Sequence, residues 1–313
     1  MLKYVIKRIL WIIPTVLGVL ILLFSLTYFL PGDPASVMLG PRATPELIKD
    51  LNHRLHLDQP VYTRLGYYIL GVLRGDLGES VWSGHKVSSL IVNSLPYTII
   101  LAVCSMGLAA LVGIFLGVFA TIYKESIIDH LVTGISLVGV AVPDFVAACL
   151  LLLIFAVHLN LFPVLGAGEA GNIADEIHHL ILPVISLAIG WIGYLSRLTR
   201  ETMLEVIDSD YIRVAKVFGI PAKHIYYKYA LKNAIIPIIT VIGLGIGKLL
   251  GGAVLVEIIF NRPGLGKLVV DAVYARDLPV VQGGILMATL LFVLANLIAD
   301  ISYAYIDPRI QYE

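Results

Sequence analysis

The chain contains six apolar stretches, each long enough to cross a lipid bilayer as a helix, which takes about 20 residues. They lie at residues 9–30, 97–122, 131–157, 180–198, 234–259 and 280–306. Lipid offers no hydrogen-bond partners to backbone N–H and C=O groups, so each stretch must be helical. The sequence therefore predicts an all-α membrane protein with six transmembrane helices.

The composition agrees with this class. Of the 313 residues, 58% are hydrophobic and only 14% are charged, and the mean hydropathy is +0.91. A soluble domain carries about 25% charged residues, so an ordinary soluble enzyme is excluded. The formal net charge is zero, which argues against a basic nucleic-acid binder and an acidic disordered chain. The two cysteines, Cys104 and Cys149, lie in apolar runs and form neither a disulfide framework nor a zinc-binding pattern.

The distribution of Lys and Arg predicts the orientation. Lys3, Lys7 and Arg8 precede the first stretch, which is longer than the apolar part of a signal peptide and is therefore expected to be retained as an anchor. With the N-terminus in the cytoplasm, the cytoplasmic segments hold twelve Lys and Arg, whereas the short external loops hold three. The positive-inside rule favours this orientation, and six spans return the C-terminus to the cytoplasm.

The spans divide the chain into three parts, namely 1–30, 31–96 and 97–313. The first holds the cytoplasmic N-terminus and helix 1, the second is an external segment, and the third is a five-helix core. Apolar residues at helical spacing in 45–55 and 60–73 predict a small helical cap in the external segment. The core contains the largest cytoplasmic loop, 199–233.

This cytoplasmic loop carries the signals of one short helix. Asp208, Ser209 and Asp210 are candidates for its N-cap and place negative charge at its start. Gly219 is suited to the left-handed position just after the helix, and Pro221 prevents its continuation.

The same helix has one apolar face. Tyr211, Val214, Ala215 and Phe218 recur at i, i+3, i+4 and i+7, and charged residues lie on another face. Two interpretations are open. The face lies on the membrane surface, or it fills a groove on a partner protein.

The run 210–219, Asp-Tyr-Ile-Arg-Val-Ala-Lys-Val-Phe-Gly, resembles the coupling-loop motif of bacterial ABC importer permeases. The run 230–237, Ala-Leu-Lys-Asn-Ala-Ile-Ile-Pro, resembles the peptide/nickel branch of that family. Further segments agree in order along the whole chain, at 31–34, 57–60, 75–78, 263–266, 279–283 and 307–309. Arg213-Val214-Ala215 departs from the general Glu-Ala-Ala, although Arg is usual there in the peptide branch.

The resemblance implies the type I importer permease fold in a bacterial cytoplasmic (inner) membrane, surrounded by lipid and without nucleic acid. It implies three kinds of partner: a second related permease subunit, two cytoplasmic ATP-binding subunits and an external solute-binding protein. It also implies transport by alternating access driven by ATP. A homodimer in place of two different permeases stays open. The implied coupling residues are Asp210, Tyr211, Arg213, Val214, Ala215, Lys216, Phe218 and Gly219. Among them Tyr211, Ala215 and Phe218 would pack into the ATPase, and Arg213 and Lys216 would meet its polar rim.

The chain itself is expected not to be an enzyme and to hold no cofactor. A Walker A loop needs Gly five residues before Gly-Lys, but Ile242 precedes Gly247-Lys248 and Asn261 precedes Gly266-Lys267. ATP and Mg²⁺ are therefore expected on partner subunits.

Charged residues inside the spans are candidates for the translocation path. Asp144, Lys248 and Glu257 are proposed to line a pore or contact a substrate's termini, because intramembrane charges usually face a cavity or a partner. The alternative is a structural ion pair. Asp300 is expected nearer the inner surface.

Two further patterns allow more than one interpretation. Gly113-x-x-x-Gly117 and Gly243-x-x-x-Gly247 permit close helix contact, within this chain or at a dimer seam. The histidine pairs 53/56 and 178/179 contain side chains that can bind nickel or zinc. Each pair offers too few ligands at a suitable spacing, so no metal site is expected.

Short peptides are the expected substrate, with nickel, a nickel chelate or glutathione as alternatives that share the same permease fold. A function of another class, a membrane-embedded enzyme with Asp144 and Asp300 as a carboxylate pair, would need both groups at one depth. Their positions along spans 3 and 6 predict different depths.

Overall fold

The computed structural model describes residues 2–29, 34–40, 43–54 and 58–306. These residues form the helices α1 (Leu2–Phe29), α2 (Pro34–Leu39), α3 (Pro45–Arg54), α4 (Val61–Leu73), α5 (Val87–Ile122), α6 (Ile127–Ala141), α7 (Asp144–Leu151), α8 (Ile173–Ile207), α9 (Asp210–Val217), α10 (Ala222–His224), α11 (Leu231–Gly252), α12 (Val254–Ile259), α13 (Leu265–Ala275) and α14 (Leu278–Ile306). Leu152–His158 and Ile225–Ala230 are π-helical and extend α7 and α10. Glu79 and Lys86 form an isolated antiparallel bridge. The all-α class is confirmed for the described residues.

Four helical segments of the described chain are long and apolar enough to cross a membrane, namely Val87–Ile122, Ile173–Ile207, Ala222–Gly252 and Leu278–Ser302. They contain most of the expected second, fourth, fifth and sixth spans. The fifth helix ends at Gly252, and residues 254–259 form the separate helix α12. Within α1, the shorter segment Leu10–Ser25 is apolar.

The expected third span, 131–157, is broken. Ile127–Ala141 and Asp144–His158 meet at an angle of 100°. Pro143 precedes α7 as its N-cap, and Val142 before it is extended, with ψ of 121°. Proline has no N–H to donate and disfavours helical backbone at the residue before it, so the chain turns here. A single continuous span is therefore corrected to two helices, which together count as one span at most.

The chain divides into two compact units. The first comprises 99–262 and 294–306. Its core is formed by buried side chains of α5, α8 and α11, among them Leu101, Met106, Leu187, Leu195 and Ile238.

Glycines permit close contact of helices inside this first unit. A Cβ atom at Gly117 would lie 2.5 Å from the Ser196 carbonyl oxygen on α8, and one at Gly243 would lie 2.4 Å from the Cβ of Ala299 on α14. These distances are shorter than van der Waals contact. Gly117 and Gly243, one glycine from each predicted pattern, therefore serve packing within this chain.

The second unit comprises 2–98 and 263–293. It contains two apolar clusters, one centred on Leu20, Leu23 and Leu286, the other on Val87 and Leu265. Leu77 packs against both clusters. The expected helices at 45–55 and 60–73 are observed as α3 and α4, and α2 precedes them.

Several motif segments form the turns of this second unit. Gly75 and Gly78 have φ of 79° and 81°, and the Asp76 carboxylate accepts a hydrogen bond from the Gly78 N–H at 2.9 Å. A Cβ atom at Gly283 would lie 2.5 Å from the Val87 side chain. The matching residues 31–33, 57 and 307–309 lie outside the described residues.

Candidate functional site

The helix α9 begins where the sequence predicts. Ser209 is its N-cap residue, in extended conformation, and its hydroxyl donates to the Val206 carbonyl at the end of α8. Asp210 occupies the first turn, where a negative charge is stabilised by the helix dipole. Arg213 lies 3.2 Å from the Asp210 carboxylate, and both side chains are exposed.

The end of α9 is a Schellman turn. Gly219 has φ of 73°, the left-handed conformation that was predicted for it. Its N–H donates to the Lys216 carbonyl at 3.0 Å, and the Ile220 N–H donates to the Ala215 carbonyl at 3.1 Å. The chain then leaves the helix sharply and reaches Pro221.

The apolar side chains of α9 do not all lie on one free face. Ile212 and Ala215 are 0% and 7% exposed, because this side of α9 packs against the end of α8 and against the π-helical segment Ile225–Ala230. Val214, Val217 and Phe218 are 54%, 87% and 81% exposed. Ala215 is therefore covered by the chain's own helices, whereas Val217, which the sequence reasoning missed, is exposed. Contact of these residues with a partner stays a prediction.

Tyr211 connects α9 to the start of α11. The Asn233 side-chain amide donates to the Tyr211 hydroxyl at 3.1 Å and to the Tyr229 carbonyl at 2.9 Å. The Tyr211 side chain is half exposed, so part of it remains accessible although its hydroxyl is bonded to Asn233. Lys216 and Arg213 are exposed beside it, as expected for a polar rim.

A partly buried ion pair holds the start of α6 against α8, the helix that leads into α9. Arg200 donates to both carboxylate oxygens of Asp129, at 2.6 and 2.7 Å, and the Glu125 N–H donates to the same carboxylate at 3.0 Å. Asp129 is 4% exposed. The sequence reasoning missed this residue. The pattern Ser126-x-x-Asp129, typical of a helix start, was the available signal, and the Ser126 hydroxyl accepts from the Asp129 N–H.

A pocket of about 480 Å³ lies inside the first unit. Its walls come from the break between α6 and α7, from α8 and from α11, with the lining residues Val140, Asp144, Gly190, Trp191, Tyr194, Val241, Leu244, Lys248, Leu249 and Gly252. The structure thus brings together Asp144 and Lys248, two of the three residues proposed for the translocation path. The Lys248 ammonium lies 6.0 Å from the centre of the Trp191 ring, within the range of a cation–π contact.

The third proposed residue, Glu257, lies elsewhere. It is 0% exposed in the short helix α12, and it does not line this pocket. The break at Ala253 ends α11 before Glu257 is reached, so the side chain leaves the pocket-lining face. Glu257 therefore does not line this pocket, and its place on the translocation path stays a prediction. Asp300, on α14, does not line the pocket either, so this pocket offers the single carboxylate of Asp144 rather than a pair.

The described members of the two histidine pairs have other contacts. His178 Nε2 lies 3.0 Å from the Leu161 carbonyl, and His179 Nδ1 lies 2.9 Å from the Asp175 carbonyl. His53 faces Asp58 at 3.8 Å, while His56 is outside the described residues. Within the described residues, no three His, Cys, Asp or Glu side chains form a group that suits a metal ion.

Most of the chain matches two known family descriptions. Residues 113–312 match the family described as binding-protein-dependent transport system inner membrane component, and residues 1–102 match the N-terminal part of such membrane components.

Curated relatives agree with this match. The chain is 38% identical to the dipeptide transport system permease protein DppB of Escherichia coli (strain K12), and 39% identical to the glutathione transport system permease protein GsiC of Salmonella typhimurium (strain LT2). Each alignment covers 100% of both chains.

Solved structures show a similar fold. Two inward-facing structures of the MetNI methionine ABC transporter contain a chain that matches with TM-scores of 0.55 and 0.58, at 15% and 16% identity. Each match covers 70% of this chain and 96% of the other. The chain therefore belongs to the binding-protein-dependent transport system inner membrane components, a family of ABC transporter permeases, and is a multi-pass protein of the cytoplasmic membrane.

Proposed function

We propose that the chain is the permease subunit of an ATP-driven ABC importer that moves short peptides across the cytoplasmic membrane by alternating access. The full-length identity to a dipeptide permease carries this proposal. Glutathione, itself a modified short peptide, is the second candidate because of the equal similarity to a glutathione permease. Nickel or a nickel chelate is the weaker alternative, because the relatives described above are named for peptide-like solutes.

The proposed topology has six spans with both termini in the cytoplasm. Four long apolar helices, the bent pair α6–α7 and the apolar part of α1 supply the six segments. The excess of Lys and Arg in the segments assigned to the cytoplasm supports the orientation. The helices α2, α3 and α4 then belong to an external segment.

The proposed docking surface for an ATPase is the exposed apolar surface of α9, formed by Val214, Val217 and Phe218. A short amphipathic helix that shows apolar side chains to solvent is suited to a groove on a partner. The other face of α9 is packed on α8 and on the segment Ile225–Ala230, which continues into α11, so movement of α9 is transmitted to these helices as a rigid connection. ATP and Mg²⁺ are bound by two such partner subunits, and this chain holds neither.

Two further partners complete the proposed importer. A second related permease forms the other half of the pore, and an external solute-binding protein delivers the substrate. Family membership supports both, since the family is described by its dependence on a binding protein.

Reconstitution tests the proposal directly. The chain, co-produced with the second permease, ATPase subunits and binding protein proposed above, is placed in liposomes, and ATP-dependent uptake of radiolabelled dipeptide, glutathione and Ni²⁺ is measured. We expect dipeptide uptake that requires both ATP and the binding protein. Uptake of Ni²⁺ alone, or a purified chain that retains no ATPase, would contradict the proposal.

A further inference from the structure

The pocket bounded by α7, α8 and α11 places an acid and a base at one cavity. Asp144 is the first residue of α7 and Lys248 lies in the last turn but one of α11, and both side chains are exposed to this space. Charged side chains in membrane-spanning segments are energetically expensive, so they need a partner that offsets their lost hydration.

Asp144 and Lys248 do not form an ion pair with each other. Neither Asp144 nor Lys248 forms an ion pair with another described residue, although the charge of Lys248 acts on the Asp144 carboxylate. Space therefore separates a fixed negative group from a fixed positive group. A ligand with both signs of charge would satisfy the two groups together.

The walls around these charges are aromatic and apolar. Trp191 and Tyr194 meet edge to face with ring centres 6.0 Å apart, and Val241, Leu244 and Leu249 complete the lining. Gly190 leaves room in front of the carboxylate, since a Cβ atom there would already lie 3.5 Å from Asp144 Oδ1. Apolar walls with a few placed polar groups are the usual composition of small-molecule pockets, and about 480 Å³ lies within their size range.

We propose that this pocket binds a short zwitterionic peptide by its two ends, with Asp144 receiving the α-ammonium group and Lys248 the terminal carboxylate. This inference rests on the proposed function and names the recognition that would occur inside the permease. Trp191 and Tyr194 hold the side chains and backbone between the two ends. A divalent cation does not fit this pocket, because its lining offers one carboxylate, no imidazole and a repelling ammonium group.

The test compares protein groups with ligand groups in a double-mutant cycle, using the complete reconstituted importer with its binding protein. Three substrates are used: a dipeptide, its analogue without the α-amino group, and its C-terminal amide. Wild type is compared with Asp144→Asn and Lys248→Met. Because the binding protein is the same throughout, its own preference for peptide ends cancels when the substrate ratios of two permease variants are divided.

We expect Lys248→Met to lower kcat/KM for the free dipeptide about tenfold while changing that for the amide less than about twofold. Asp144→Asn is likewise expected to lower kcat/KM for the free dipeptide, and to change that for the analogue without the amino group much less. Lys124→Met, a matched change at an exposed lysine outside the pocket, leaves all ratios unchanged. ATPase co-purification and basal ATP hydrolysis show that each variant is assembled.

Equal loss for all three substrates would assign Asp144 and Lys248 a structural role and overturn the inference, and so would unchanged ratios. In both cases wild-type uptake of dipeptide would leave the proposed function intact. Absence of dipeptide uptake by the wild-type importer would instead overturn the proposed function and this inference with it.

Discussion

Two neighbouring kinds of apolar residue on α9 have opposite surroundings. Ala215 and Ile212 are buried against the chain's own helices, whereas Val217 and Phe218 are almost fully exposed. An exposed apolar side chain at the tip of a short helix gives no stability to the isolated subunit, so its contribution must be sought in a complex. Substitutions at the buried and at the exposed positions therefore distinguish an effect on folding from an effect on docking.

Val217→Asp is expected to abolish co-purification of the ATPase and transport, because a carboxylate would be desolvated in an apolar groove. The thermal stability of the purified permease should change by less than about 0.5 kcal/mol, as for other exposed sites. The measurements are pull-down of the ATPase and thermal unfolding in detergent. Val217→Ala serves as the control for side-chain size, and retained ATPase binding in Val217→Asp would count against docking through this surface.

Ala215→Asp should behave in the opposite way and lower the stability of the subunit itself, since the new charge would be buried against α8 and the segment Ile225–Ala230. The expected loss is about 3 kcal/mol or more, seen as a lower melting temperature even without the ATPase. A variant that is stable but fails to bind ATPase would restore Ala215 to the docking surface.

The pair Asp129–Arg200 allows a third test at the same scale. Arg200→Ala leaves a buried carboxylate without its two strongest donors and is expected to destabilise the protein by about 3 kcal/mol. Arg200→Lys keeps the charge but loses the two-pronged geometry, so an intermediate loss is expected. Thermal unfolding of the three proteins in one detergent measures the order, and equal stability of all three would contradict the assigned role.

At the scale of elements, glycine spacing determines how closely α5 and α8 approach. Gly117 has no room for a methyl group, but Gly107, on the same helix, has nothing within 4 Å of the position of its Cβ. The two glycines thus differ in environment and share the same secondary structure. A helix can gain from Gly→Ala when space permits, because alanine has the higher helix propensity.

Gly117→Ala is accordingly expected to destabilise the subunit by about 1–3 kcal/mol through overpacking against Ser196 and Thr199. Gly107→Ala should be neutral or stabilising by up to about 1 kcal/mol. Both are measured by thermal unfolding. If the two variants lose equal stability, the close contact between α5 and α8 is not the cause.

At the scale of the whole molecule, the sequence predicts best what is specified locally. The ends of α9 follow from Ser209, Asp210 and Gly219, and the helices α3 and α4 follow from their apolar spacing. The burial of Ala215 could not be predicted, because it depends on α8 and on Ile225–Ala230, which approach only in the folded chain. Intramembrane charges look alike in sequence, so the pocket residues Asp144 and Lys248 could not be told apart from Glu257.

The bend between α6 and α7 lies between these cases. Pro143 predicts a break in the helix, but the sequence around it does not specify the angle of 100°, which depends on packing against α8. The family motifs predicted the class of protein because they extend over the whole chain in order.

Cysteine labelling tests the proposed orientation of the whole chain. After Cys104 and Cys149 are replaced by Ser, Tyr62→Cys on α4 should react with a membrane-impermeant maleimide in intact cells. Lys124→Cys, between α5 and α6, should react only after the membrane is permeabilised. Both positions are exposed, so access to the reagent decides the result. The reverse pattern would invert the topology.

The ion pair between Asp129 and Arg200 also has a consequence for biosynthesis. The two residues are 71 positions apart, so at about 5–20 residues per second the ribosome adds Arg200 roughly 4–14 s after Asp129. During that interval the Asp129 carboxylate lacks its guanidinium partner. The nascent chain therefore passes through a stage in which α6 has been synthesised but is not yet tied to α8 by this ion pair.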